Sequence, residues 1–206
     1  MLKTLIELQR LKRLERTGWS LRGQPSGTES VAAHSFGVGV TAMMLADEVN
    51  ARGGEVDCER VLRMALLHDW AETRVGDMPR TATEYFGADA RKTAETRAFA
   101  DIVEPLSAAA SEYKTLYQDY EQRESVEAKL VKAADVIDLL VQVLALETAG
   151  ARGLDEFWEV ANGADGSDRP DVQLPAVAQQ LPAIAQAVVS EVLESLLAAR
   201  AAIRKS

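Results

Sequence analysis

Apolar residues recur every three or four positions along almost the whole chain, which is the period of amphipathic helices. Leu2, Leu5, Ile6, Leu8, Leu11 and Leu14 form one such stripe. They predict a first helix ending near Arg16, where Thr17-Gly18 reads as a stop. A polar loop follows over Ser20–Thr28, with Gly23, Pro25 and Gly27. The second helix is expected from Glu29-Ser30 to about Ala51, broken by Gly53-Gly54. Asp57 is a good N-cap for a third, which runs into His68-Asp69-Trp70-Ala71-Glu72 before Gly76 and Pro79 force a turn. Further helices are expected over Ala88–Leu106, Ser111–Gln122 and Ser125–Thr148, the last stopped by Gly150. A short helix over Leu154–Val160, an exposed loop over Asn162–Pro170, and an Ala-rich helix entered past Pro175 and Pro182 and reaching about Arg204 complete the pattern. Sustained apolar–polar alternation and internal repeats are absent, so the expectation is an all-α single domain over 1–206.

Composition narrows what such a domain does. The chain has 206 residues, of which 47% are hydrophobic, enough for one core without covalent staples. A net charge of −9 disfavours any polymeric nucleic-acid partner, because counterion release needs many cations. One cysteine, Cys58, excludes a disulfide framework and a cysteine-rich zinc site, and fits a reducing compartment. Two histidines, His34 and His68, exclude a site built on three or more imidazoles. The first ten residues are interrupted by charge and no run reaches about 18 apolar residues. The expected location is therefore the cytoplasm, with no membrane partner.

The candidate chemistry gathers in three places. His68-Asp69 lies where an apolar helix ends, a position that a histidine also occupies simply to meet the helix dipole. Glu72 and Asp77 follow within nine residues, and such carboxylates repel unless protons, cations or solvent separate them. Leu66-Leu67 and Trp70-Ala71 argue against a fully exposed segment. Asp135 and Asp138 interrupt a nearly continuous apolar run, where a carboxylate is costly unless paired or metal-bound. Their i,i+3 spacing leaves open which one faces inward, and pairing with Lys132 is the ordinary alternative. His34 stands near the start of the second helix, where a lone histidine is usually structural.

Taken in order, His34, His68-Asp69 and Asp135 resemble the ligand pattern of the HD-domain metal-dependent phosphohydrolases. The stretch from His68 to Pro79, the block Leu11-Lys12-Arg13-Leu14-Glu15-Arg16-Thr17-Gly18-Trp19 and the run Leu130–Asp135 look most like the branch of 5′-deoxynucleotidases and HD-domain-containing protein 2. The likeness covers about residues 2–150, leaving 151–206 as a helical extension. It implies an all-helical HD-domain bundle holding one divalent ion (Mn, Co, Fe, Ni or Zn) on His34, His68, Asp69 and Asp135. It also implies hydrolysis of (deoxy)nucleoside 5′-monophosphates, with Glu72 and Asp77 as catalytic carboxylates, Arg16 at the phosphate and Trp19 beside the sugar or base. Lys132, Arg22 and Arg80 are lesser phosphate candidates. Relatives are often homodimers, and the final Ala- and Leu-rich helix could supply the apolar face.

This chain departs from the resemblance at two points. Several relatives carry an acidic residue before the first histidine, where Ala33 stands here, so looser support of the His34 ring is expected. Thr17-Gly18 separates Arg16 from Trp19, whereas the bacterial deoxynucleotidases join the two directly. The rival readings are an HD-type hydrolase of guanosine tetraphosphate and a catalytically silent helical interaction protein.

Overall fold

The computed structural model describes residues 1–159 and 179–205. Eleven helices order these residues: α1 (Leu2–Leu8), α2 (Thr17–Ser20), α3 (Val31–Ala51), α4 (Cys58–Leu67), α5 (Glu72–Val75), α6 (Arg80–Phe86), α7 (Ala88–Val103), α8 (Ala110–Gln122), α9 (Val126–Thr148), α10 (Asp155–Glu159) and α11 (Ala183–Ile203). Tighter 3₁₀ turns cover Gln9–Lys12 and Glu104–Ala109. Among the described residues there is no strand, only an antiparallel bridge between Glu15 and Ser30. The architecture is all-α, as the periodicity predicts. The expected loop at 162–170 and Pro175 lie outside the described residues.

Side-chain caps start the long helices. Ser30 Oγ accepts the Ala33 N–H at 3.1 Å, Asp57 Oδ1 accepts that of Arg60 at 3.0 Å, and Ser125 Oγ accepts that of Ala128 at 3.0 Å. Helix α3 is the centre of the fold and packs most extensively on α9 and α4. Its Val31, Val38, Ala42, Leu45, Ala46 and Val49 are buried, as are Leu130, Val131, Ala134, Ile137, Leu140 and Val143 of α9. Helices α7 and α8 meet through Phe99 and Tyr117, stacked at 4.0 Å, with Trp70 stacked between Phe99 and Tyr113. Helix α11 lays Ala185, Val188, Val189, Leu193 and Leu196 onto α9 and α3. Its buried apolar face is therefore used within the chain.

Two segments differ from the pattern. The predicted 2–16 helix ends at Leu8, and the first part of its stripe is not core: Leu2, Leu5 and Ile6 are exposed, while Leu11 is buried. Thr4 is buried instead, donating to the Ile102 carbonyl at 2.9 Å. Beyond the 3₁₀ turn the chain runs extended beside the entry to α3, with Val31 N–H donating to Leu14 O at 2.8 Å and Arg16 N–H to Glu29 O at 3.0 Å. These bonds satisfy donors that a helix start leaves open, and they outweigh continuing the helix. Thr17 then opens α2 rather than stopping α1. Helix α6 was not predicted, because its large apolar residues Tyr85 and Phe86 face solvent and leave no stripe to read.

Candidate metal and phosphate site

The two histidines meet where α3, α9 and the end of α4 converge. His34 is one turn into α3 and fully buried, and His68 follows the last residue of α4. Their rings stand edge to face at 5.6 Å. The His68 Nδ1–H donates to the Ala65 carbonyl at 2.7 Å, which turns Nε2 into the site. That Nε2 is buried and has no hydrogen-bond partner, although Asp69 Oδ2 lies 3.1 Å away. A buried, unpartnered imidazole nitrogen is what a ligand position requires.

The carboxylates close around it. Asp69 Oδ2 is 3.8 Å from His34 Nε2, and Asp135 Oδ1 is 3.1 Å from the same nitrogen. Ligand atoms of His34, His68 and Asp135 all lie within 4.8 Å of one another. Two imidazoles and two carboxylates suit a borderline divalent ion such as Mn, Fe, Co, Ni or Zn. Burial and the Arg16 charge push the His34 imidazole down, but hydrogen bonds with Asp135 and Asp138 outweigh them and raise it to about 9. The cluster is thus built to hold positive charge between its carboxylates, which a divalent ion supplies in place of a proton. The donor set fits such an ion.

The other expected residues line one cleft of about 730 Å³ beside this cluster. Glu72 opens α5, is buried, and leaves Oε2 without a hydrogen-bond partner. Burial, then the charges of Asp69 and Asp77, push its carboxyl well above the ordinary range. Gly76, at φ 80°, makes the turn that sends Asp77 back toward α2. There Asp77 Oδ2 accepts the Thr17 N–H, and its carbonyl accepts the Thr17 hydroxyl at 2.7 Å. Asp77 therefore anchors the Arg16–Trp19 segment with one carboxylate oxygen and its backbone carbonyl.

Arg16 reaches inward, with Nη1 3.5 Å from Asp69 Oδ2. Desolvation opposes its charge, and Asp69 with the neighbouring carboxylates more than compensates, so it stays cationic. Trp19 is 2% exposed and its Nε1–H donates to Glu29 Oε2 at 2.7 Å, so it lines the cleft as a buried, anchored ring. Of the lesser phosphate candidates, Lys132 donates to Asp135 Oδ2 at 2.6 Å and Arg22 pairs with Glu156. The Arg80 side chain lies outside those described.

Three further neighbours complete the site, and two of them, Tyr120 and Phe157, were not foreseen. Asp138 Oδ2 accepts the His34 Nδ1–H at 2.8 Å, so the ring is supported despite Ala33. Tyr120 places its hydroxyl 3.4 Å from Asp135 Oδ2 and its ring 5.5 Å from that of His68. Burial pushes the Tyr120 phenol well above its usual range, so it remains a donor. Phe157 of α10, half-buried, packs on Trp19 at 4.8 Å and shares the cleft wall. Asp138 was visible as one of two alternatives, whereas Tyr120 and Phe157 look like ordinary core aromatics in sequence.

Comparison with known proteins agrees with this geometry. The HD-domain family matches residues 8–166. The 5′-deoxynucleotidase hdd1 of Schizosaccharomyces pombe is 32% identical over 73% of this chain and 75% of its own. The 5′-deoxynucleotidase HDDC2 of Homo sapiens is 31% identical over 79% and 77%. A crystal structure of a Pyrococcus horikoshii protein superposes with a TM-score of 0.75 at 33% identity, covering 95% of this chain and 98% of that one. An HD-domain phosphohydrolase from Listeria innocua shares the fold, with a TM-score of 0.67 at 20% identity over 94% and 88%. A matching domain, a buried His/Asp cluster and relatives aligned over three quarters of their length lead to one statement: this chain belongs to the HD-domain family, among the 5′-deoxynucleotidases.

Proposed function

We infer that the protein is a metal-dependent 5′-deoxynucleotidase, hydrolysing (deoxy)nucleoside 5′-monophosphates to nucleoside and phosphate. The observation that carries this reading is the buried, unpartnered His68 Nε2 facing Asp69 and Asp135 beside a cleft that holds Glu72, Asp77 and Arg16. His34, His68, Asp69 and Asp135 would hold one divalent ion, with Mn, Co, Fe, Ni and Zn as candidates. Such an ion supplies Lewis acidity toward a phosphoryl oxygen and a more acidic water.

The chain's own residues do the rest. Arg16 binds a phosphate oxygen and neutralises charge on it. Glu72 and Asp77 share the proton work, one orienting the attacking water and the other serving the leaving 5′-oxygen. Trp19, held by Glu29, gives the sugar and base a rigid boundary. Lys132 keeps Asp135 ionised and oriented.

The reading extends to a cytoplasmic homodimer formed by a single HD domain over 1–206. The free thiol of Cys58 supports a reducing compartment. Exposed Phe36, Met44 and Leu66 support a partner surface of the same chain. The packing of α11 on α3 and α9 supports one domain.

The test is a phosphate-release panel of ribo- and deoxynucleoside monophosphates and guanosine tetraphosphate, run with each metal. Release from the deoxynucleoside monophosphates, lost in Asp69→Ala, is expected. Activity on guanosine tetraphosphate alone, or none on any nucleotide, contradicts the reading.

A further inference from the structure

Helix α3 carries a glycine, Gly37, one turn beyond His34. Glycine inside a helix costs about 1 kcal/mol relative to alanine, so it needs a local reason. The reason is space. A Cβ at position 37 would lie 2.7 Å from Asp138 Cγ and 3.0 Å from Oδ2, and closer still to Oδ1. The Asp138 carboxylate fills the room that the missing side chain leaves open.

From that seat Asp138 Oδ2 accepts the His34 Nδ1–H at 2.8 Å. Asp135, one turn earlier on α9, faces the opposite ring nitrogen, with Oδ1 3.1 Å from Nε2. His34 has no exposed surface, so bulk water cannot take over at either nitrogen. The position before His34 offers no substitute, because Ala33 is exposed and apolar. A carboxylate bonded to Nδ1–H fixes the tautomer, holds the ring plane and makes Nε2 a better donor to a cation.

We propose that Gly37 and Asp138 form a matched pair that positions His34 for metal binding: Asp138 orients the imidazole, and Gly37 is a glycine so that Asp138 can reach it. Neither residue lines the cleft, and both are positioning residues. The inference rests on the reading of His34 as a metal ligand.

The test is calorimetric titration of Co²⁺ into the metal-free full-length protein and its Asp138→Asn, Asp138→Ala, Gly37→Ala and Gly37→Ala/Asp138→Ala variants. Each is used once its helical circular dichroism matches wild type, and Asp138→Ser replaces Asp138→Ala if the latter does not fold. Each single variant is expected to weaken Co²⁺ binding about 10–100-fold. The visible Co²⁺ spectrum should shift with it. Once Asp138 is alanine, adding Gly37→Ala should cost less than about a further 2-fold, because the clash has gone. Wild-type affinity in Gly37→Ala or Asp138→Asn, or losses that multiply in the double variant, would overturn the pairing. A wild-type protein that takes up no Co²⁺ overturns the ligand reading itself, which separates the two failures.

Discussion

Glu72 combines burial, an unpartnered carboxylate oxygen and a pKa pushed upward by desolvation and by Asp69 and Asp77. A carboxyl in such a place is suited to moving protons. Glu72→Gln keeps the shape and removes the titration, so kcat should fall about 10²–10⁴-fold. Metal affinity should stay unchanged, since Glu72 is not among the proposed ligands. Steady-state kinetics beside a metal titration check this, and an unchanged kcat would remove Glu72 from the chemistry. At this scale the sequence was informative where residues sit in a spaced motif. His34, His68, Asp69, Asp135, Glu72 and Asp77 were all named as candidates from the motifs, and they lie together at one cluster and its cleft. Asp138 was not resolved from Asp135, because an i,i+3 pair shares a flank and periodicity does not report which ring nitrogen each one meets. Tyr120 was hidden because its spacing to Leu116 and Tyr117 is that of any core stripe.

The elements deliver these residues through their ends. Arg16 reaches Asp69 because the chain past Arg13 leaves the helix and pairs beside the entry to α3, Glu15 bridging Ser30. That departure was illegible locally, since the bonds that cause it come from Glu29 and Val31. The Asp57 cap was easier to read, and the junction between α8 and α9 carries a measurable consequence. Asp119 on α8 accepts from the Ser125 N–H at 3.0 Å and the Ser125 hydroxyl at 2.7 Å, and it pairs with Arg60 of α4. Burial alone would raise Asp119, but these bonds outweigh it and hold its pKa below the ordinary value. The folded value therefore lies below the unfolded one of about 3.9. Its stabilisation is complete above about pH 4 and is lost as pH falls through the depressed folded value. Asp119→Ala should lower the unfolding free energy by about 1–3 kcal/mol at pH 7. Urea unfolding at pH 7 and pH 3 should show that difference shrinking in acid. A constant difference would mean that the charge of Asp119 contributes nothing.

Across the whole molecule, α3, α9 and the end of α4 form both the core and the cluster, so binding and folding are linked. The all-α architecture and its long central helices were legible because burial imposes a 3.6-residue period on them. The docking of α11 was not, because an apolar face reads alike whether it meets its own domain or a second copy. Any ion bound only by the folded chain raises its stability, by about 2.7 kcal/mol at 100 times the dissociation constant. The proposed ligands of that ion are His34, His68, Asp69 and Asp135. The measurement that tests this assignment most directly is calorimetric titration of the metal-free protein with Mn²⁺ or Co²⁺, with elemental analysis of the saturated product. One ion per chain, a higher melting temperature on binding and no binding in His68→Ala are expected. No ion, two ions per chain, or wild-type affinity in His68→Ala would contradict the assignment.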